Sequence, residues 1–164
     1  MSRRAVPECH NHDRYDGDRP IAAPLDAISE ATIKALVDEF YARVRRDRAL
    51  GPVFDRAIAP DAWPAHLERM YAFWSSVMLT SGRYKGDPVG VHRRVAGIVP
   101  PLFGNWLGLF EATAADLFVP AVADRFAEAA RRIAESLKLA LFFRADQPWT
   151  EDLRRRPPVS HPCA

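Results

Sequence analysis

The sequence predicts an all-α protein of about four main helices with short connectors. Three observations carry this. Apolar residues recur at i, i+3, i+4 through residues 25–143, no alternating apolar–polar run suggests a strand, and proline or glycine punctuates the joins between periodic stretches. No internal repeat is visible.

The first helix starts after Ser29, a good N-cap, with Glu30 in its first turn. Ile33, Leu36, Val37, Phe40, Tyr41 and Val44 form its apolar stripe. The helix is expected to end in a charged run before Leu50-Gly51-Pro52, where glycine and proline stop it, with Val53 and Phe54 beginning a connecting turn. Asp61 is the next N-cap candidate, with Pro64 tolerated in the first turns. Trp63, His66, Met70, Phe73, Trp74 and Val77 keep helical spacing beyond it. Thr80 to Gly90 contains Gly82, Gly86 and Pro88 and reads as a loop. A short helix carries His92 and ends near Gly97. Pro100-Pro101 opens another, with Phe103, Trp106, Leu107 and Phe110 on one face. The last helix follows Pro120 and carries Val122, Phe126, Ala129, Ala130, Ile133, Leu137, Ala140 and Leu141 along one stripe.

The chain has 164 residues, fits one domain, and at 48% hydrophobic can bury a substantial core. Its net charge of +2 is too balanced for a nucleic-acid surface, and neither Arg43–Arg48 nor Arg154-Arg155-Arg156 has aromatics interleaved for base stacking. Residues 1–24 and 144–164 are polar, rich in proline and aperiodic, so they are expected to be flexible tails flanking a domain at 25–143. Cys9-His10-Asn11-His12 is read as part of the first tail, without further ligands to complete a metal site. Cys9 and Cys163 are the only cysteines and make no disulfide framework, which points to a reducing compartment. No apolar run reaches membrane-span length, and Arg3-Arg4 is not followed by an apolar stretch, so a cytoplasmic location is expected.

Of five histidines, His10, His12 and His161 lie in the tails, leaving His66 and His92 in aromatic and aliphatic surroundings. Tyr41, His66, His92 and Trp106 sit in four different helical segments and can converge. Two imidazoles in an aromatic-rich helical core are what a haem pocket needs. Taken singly, each of the four also reads as ordinary core, an aromatic or imidazole whose polar end finds a partner. Two histidines without cysteines or spaced carboxylates fall short of a zinc site. Ser75-Ser76 lies in an apolar helix, with no nucleophile elbow or phosphate loop to suggest a hydrolase.

Six segments, in order, resemble the third group of the truncated haemoglobins. They are Phe40-Tyr41-Ala42-Arg43-Val44-Arg45-Arg46-Asp47, Leu50-Gly51-Pro52-Val53-Phe54, Trp63-Pro64-Ala65-His66-Leu67, Phe73-Trp74-Ser75-Ser76-Val77-Met78-Leu79, Tyr84-Lys85-Gly86-Asp87-Pro88 with His92, and Phe103-Gly104-Asn105-Trp106-Leu107-Gly108-Leu109-Phe110. The similarity spans about residues 29–141. The double-glycine motifs of the other truncated groups are absent, as in the third group. The tails are the departure from the family's pattern.

The resemblance implies a globin-like two-over-two helical sandwich around haem b. It makes His92 the proximal iron ligand, Tyr41, His66 and Trp106 the distal groups facing the bound gas, and His66 the gate. Phe54, Met70, Phe73, Trp74, Tyr84 and Phe110 become haem-binding candidates. Tyr84, Arg83, Lys85, Arg93 and Arg94 are candidates for the propionates. It further implies binding of dioxygen, nitric oxide or carbon monoxide. One neutral hydrogen bond contributes about 0.5–1.5 kcal/mol net, so two distal donors slow dioxygen release on the order of ten- to a hundredfold. That argues against storage and suits nitric oxide detoxification or peroxidase-like chemistry, with an external reductase supplying electrons. Two other readings stay open: a haem-based gas or redox sensor signalling through the tails, and a haem-free bundle holding an apolar ligand.

Overall fold

A capping box opens the first helix, α1 (Glu30–Arg46), of the computed structural model, which describes residues 23–143. The Ser29 hydroxyl accepts the Thr32 amide at 3.2 Å, and Thr32 Oγ1 accepts the Ser29 amide at 2.8 Å. The buried face is the expected stripe of Ile33, Leu36, Val37, Phe40, Tyr41 and Val44.

α1 ends at Arg46, inside the expected charged run, but what stops it is Asp47, which turns extended and whose Oδ1 accepts the amides of Ala49 and Leu50, both at 2.8 Å. Gly51-Pro52 therefore does not end a helix. It begins α2 (Gly51–Ala57), a short helix where a turn at Val53 and Phe54 was expected. Pro52 costs nothing in a first turn, where its missing N–H would have had no partner. Asp61, the expected cap, lies inside a 3-10 turn at Pro60–Ala62 and caps nothing. With φ fixed at Pro60, helical geometry begins earlier and runs straight into α3 (Trp63–Leu79).

α3 ends at Thr80, which takes the left-handed conformation at φ 57°. A loop leads to α4 (Pro88–Arg93), which is shorter than expected; the following turn closes at Gly97, φ 84°. Pro100 and Pro120 open α5 (Pro100–Leu117) and α6 (Pro120–Phe142) as their sequence suggests.

The two pairs α1–α3 and α5–α6 pack on each other through α1 against α5 and α3 against α6. This is a two-over-two helical sandwich. No β-strand forms among the described residues; a single parallel bridge joins Leu25 to Phe118. Leu25 donates to Leu117 O at 2.9 Å and accepts from Val119 N at 3.0 Å. Phe40, Phe110, Phe126, Ile33, Leu36, Val37 and Val44 are fully buried between the layers. The two fully buried polar side chains are satisfied. Thr113 donates to Leu109 O at 2.7 Å, and Ser75 donates to Glu30 at 2.6 Å and meets Ser81 at 2.7 Å. Arg83 closes the same knot on Glu30 at 2.8 Å, tying the loop after α3 to the start of α1. None of the described helices is long and apolar enough to cross a membrane. The tail readings, including Cys9-His10-Asn11-His12, fall outside the described residues.

Candidate functional site

Four helices contribute rings to one buried cluster. Tyr41 of α1 stands edge-on to three rings of other elements: Phe54 of α2 at 5.9 Å, and Trp63 at 6.0 Å and His66 at 5.0 Å of α3. Trp63 and His66 share the first turn of α3 and meet at 5.6 Å. Phe40 links Tyr41, 5.1 Å away, to Trp106 of α5 at 5.6 Å. Trp106 stacks on Phe110 at 5.4 Å, and Phe110 on Trp74 at 4.6 Å, both nearly parallel. Phe73 meets Trp74 at 5.7 Å and Tyr84 at 5.1 Å. Met70 is half-buried against the same core.

The polar ends inside this cluster are unusual. His66 Nε2 is buried with no hydrogen-bond partner among the described residues. Its pKa is pushed down to about 4, first by burial, then by the charges of Arg69 and His92. At neutral pH it is therefore an uncharged imidazole. Burial holds the Tyr41 phenol far above its usual pKa, so it remains a protonated donor.

His92 stands apart from the cluster, half-buried on α4. Asp87 caps that helix, its carboxylate accepting the Gly90 amide at 2.9 Å. A Cβ on Gly90 would collide with the same carboxylate, which explains the glycine there. One turn on, His92 Nδ1 sits 2.7 Å from the Pro88 carbonyl oxygen. A carbonyl only accepts, so Nδ1 carries the proton and Nε2 keeps its lone pair free. The two imidazoles of His92 and His66 lie within electrostatic reach of each other.

A family model described as bacterial-like globin matches residues 25–140. A group 3 truncated haemoglobin of Campylobacter jejuni is 34% identical over 89 residues, covering 53% of this chain and 70% of that protein. The chain belongs to the group 3 truncated haemoglobins. The crystal structure of a group III truncated haemoglobin from Campylobacter jejuni superposes with a TM-score of 0.69 at 28% identity, covering 73% of this chain and 95% of that one. Membership of a globin family carries haem-based binding of small diatomic gases.

The residues of this truncated haemoglobin fit a haem. A free imidazole nitrogen with its partner nitrogen fixed by a backbone carbonyl would suit a ligand to haem iron. The orphaned Nε2 of His66 has an unmet hydrogen-bonding capacity that a ligand in the pocket would satisfy.

The charged rim separates into used and free cations. Arg83 is engaged by Glu30 at 2.8 Å, and Arg93 donates to Ala140 O at 3.2 Å, so two propionate candidates are occupied elsewhere. Arg94 lines a cavity of about 370 Å³ together with Arg56, Ala57, Val91, Val95 and Ala96. This cavity borders α2 and α4; His66 and Tyr41 do not line it. Lys85 is exposed on the loop before α4.

Three residues here escaped the sequence reading. Arg69 lies one turn after His66, and its charge reaches both His66 and Tyr84. Its i+3 spacing from His66 was the available signal. Trp63 joins the ring cluster directly, although periodicity marked it only as an apolar position. Arg56 lines the same cavity as Arg94, and nothing local to α2 signals that.

Proposed function

We propose that this truncated haemoglobin holds haem b through His92 and binds dioxygen, nitric oxide or carbon monoxide on the side of Tyr41, His66 and Trp106. The observation that carries the reading is the pairing of two imidazoles. His92 has Nδ1 locked on Pro88 and Nε2 free, and it lies within electrostatic reach of a His66 whose Nε2 is buried and unpartnered. Haem supplies an iron that takes up a diatomic gas. The chain's own residues do the rest.

The Pro88 carbonyl fixes the tautomer of His92 and raises the basicity of Nε2. The Tyr41 hydroxyl and the Trp106 indole N–H are donors suited to a polar bound gas, and indole can only donate. Phe40, Phe54, Phe110 and Trp74 exclude water around them, which strengthens each donor. His66 stands neutral at the gate, where it accepts or donates without carrying a charge into the pocket. Met70 and Phe73 wall the same side. Tyr84 and Arg69 suit one propionate contact, and Arg56 with Arg94 offer a second cationic edge.

Donors placed to retain a gas fit turnover better than delivery. Nitric oxide dioxygenation or a peroxidase-like reaction, with an external reductase and a cytoplasmic location, is the role proposed. Visible spectra of haem-reconstituted protein test it, ferric and dithionite-reduced, with and without carbon monoxide. The expected result is stoichiometric uptake, a Soret band that shifts with carbon monoxide, and loss of the histidine-ligated spectrum in His92→Ala. Full retention of that spectrum in His92→Ala removes His92 as the ligand, and absence of stoichiometric uptake removes the haem reading.

A further inference from the structure

Trp63 is inserted between two residues one turn apart on α1. Its ring lies edge-on to Tyr41 at 6.0 Å and under the Arg45 guanidinium, whose carbon is 4.9 Å from the ring centre. It also meets the His66 imidazole edge-on, 5.6 Å away at 81°, so that Trp63, Tyr41 and His66 touch one another in a triangle. The backbone under it is stiff: the 3-10 turn begins at Pro60, and Pro64 follows Trp63 directly. Trp63 is 6% exposed and has no room to follow a moving neighbour. His66 has no hydrogen bond through Nε2 to hold its ring, so packing alone sets its orientation.

We infer that Trp63, clamped by Arg45, is the positioning residue for His66 and sets how readily diatomic ligands pass the gate. A tryptophan face attracts a guanidinium electrostatically, so Arg45 holds the indole flat against the end of α1. The flat indole leaves the imidazole one packed orientation, between Trp63 and Tyr41. Ligand entry then requires the His66 ring to turn away from Trp63, and the quality of that edge-on contact governs the frequency of turning. This rests on reading His66 as the gate.

The test is carbon monoxide association after flash photolysis of the haem-loaded protein, together with the infrared carbon monoxide stretching bands. Trp63→Phe and Trp63→Ala are expected to speed association about two- to tenfold, the effect of losing one aromatic contact. Arg45→Met should shift the rate the same way by less, and Arg45→Lys should recover most of it. The stretching bands should move toward the pattern of His66→Ala. In a His66→Ala background the Trp63 substitutions should change neither readout. Trp63→Phe keeps a ring in the core but gives up the larger indole face that meets His66 and Arg45, so the comparison survives if Trp63→Ala fails to fold. Equal acceleration with and without His66 overturns the inference, as does the absence of acceleration when His66→Ala alone speeds entry. No change in His66→Ala itself overturns the gate reading, and the inference falls with it.

Discussion

The His66 imidazole stands edge-on to the Tyr41 phenol, ring centres 5.0 Å apart at 86°, with its Nε2 buried and unpartnered. Burial keeps Tyr41 protonated and His66 neutral, so neither brings a charge into the ring cluster. Two polar ends are thus held ready in apolar surroundings, and their separate removal should have separable effects.

Tyr41→Phe removes a donor while keeping the ring. Dioxygen dissociation, measured by stopped-flow displacement with carbon monoxide, should accelerate about two- to tenfold, as for one hydrogen bond. The four edge-on ring contacts survive, so thermal stability should stay near wild type. An unchanged dissociation rate would deny Tyr41 the donor role.

His66 gives stability a pH dependence of known sign. Its folded pKa of about 4 lies below the ordinary 6.5, so the unfolded chain takes up a proton that the folded one refuses. Folded stability is therefore full above about pH 6.5 and declines as pH falls toward 4, by on the order of 1–2 kcal/mol over the full step, since solvent screens a partly exposed ring. Urea midpoints between pH 7 and pH 4.5 should drop for the wild type, and His66→Leu should flatten that part of the slope. A slope identical in both proteins would show that His66 protonates freely in the fold.

Phe110 is fully buried between two indoles, 4.6 Å from Trp74 and 5.4 Å from Trp106. Phe110→Ala should cost about 3–5 kcal/mol, from lost burial and the cavity left behind. Phe110→Leu keeps most of the volume and should cost clearly less. Denaturant unfolding reads both, and a change below about 1 kcal/mol in Phe110→Ala would mean the layers collapse onto the gap.

Arg69 carries a charge that reaches both His66 and Tyr84. If it holds a propionate, Arg69→Ala should speed haem transfer to an excess acceptor globin about two- to fivefold, the scale of an exposed ion pair, and the difference should shrink in high salt. Arg83→Ala, whose guanidinium serves Glu30, should change transfer much less.

Periodicity made the fold legible wherever one face of a helix alone decides burial. The stripe from Ile33 to Val44 lies wholly inside, and Pro100 and Pro120 open their helices where a proline costs least. Boundaries were misread where local side chains compete. The Asp47 carboxylate captures two amides and ends α1 before the glycine and proline that seemed to stop it. Pro60 starts a 3-10 turn that leaves Asp61 nothing to cap. The site was legible where residue type limits function, as with two imidazoles in an apolar body. Relations between elements were not. No spacing shows that Arg45 covers Trp63, that Arg83 is spent on Glu30, or that Arg56 and Arg94 share a cavity.

The backbone bridge between Leu25 and Phe118 bears on how the protein is made. Synthesis releases α1 well before its partners α3 and α5 and the anchor at the α5–α6 corner. Until they emerge, Ile33, Leu36, Val37, Phe40 and Val44 have only α2 to pack against. Apolar surface exposed in this way leaves the nascent chain open to self-association. Chaperone dependence during translation should therefore concentrate on α1.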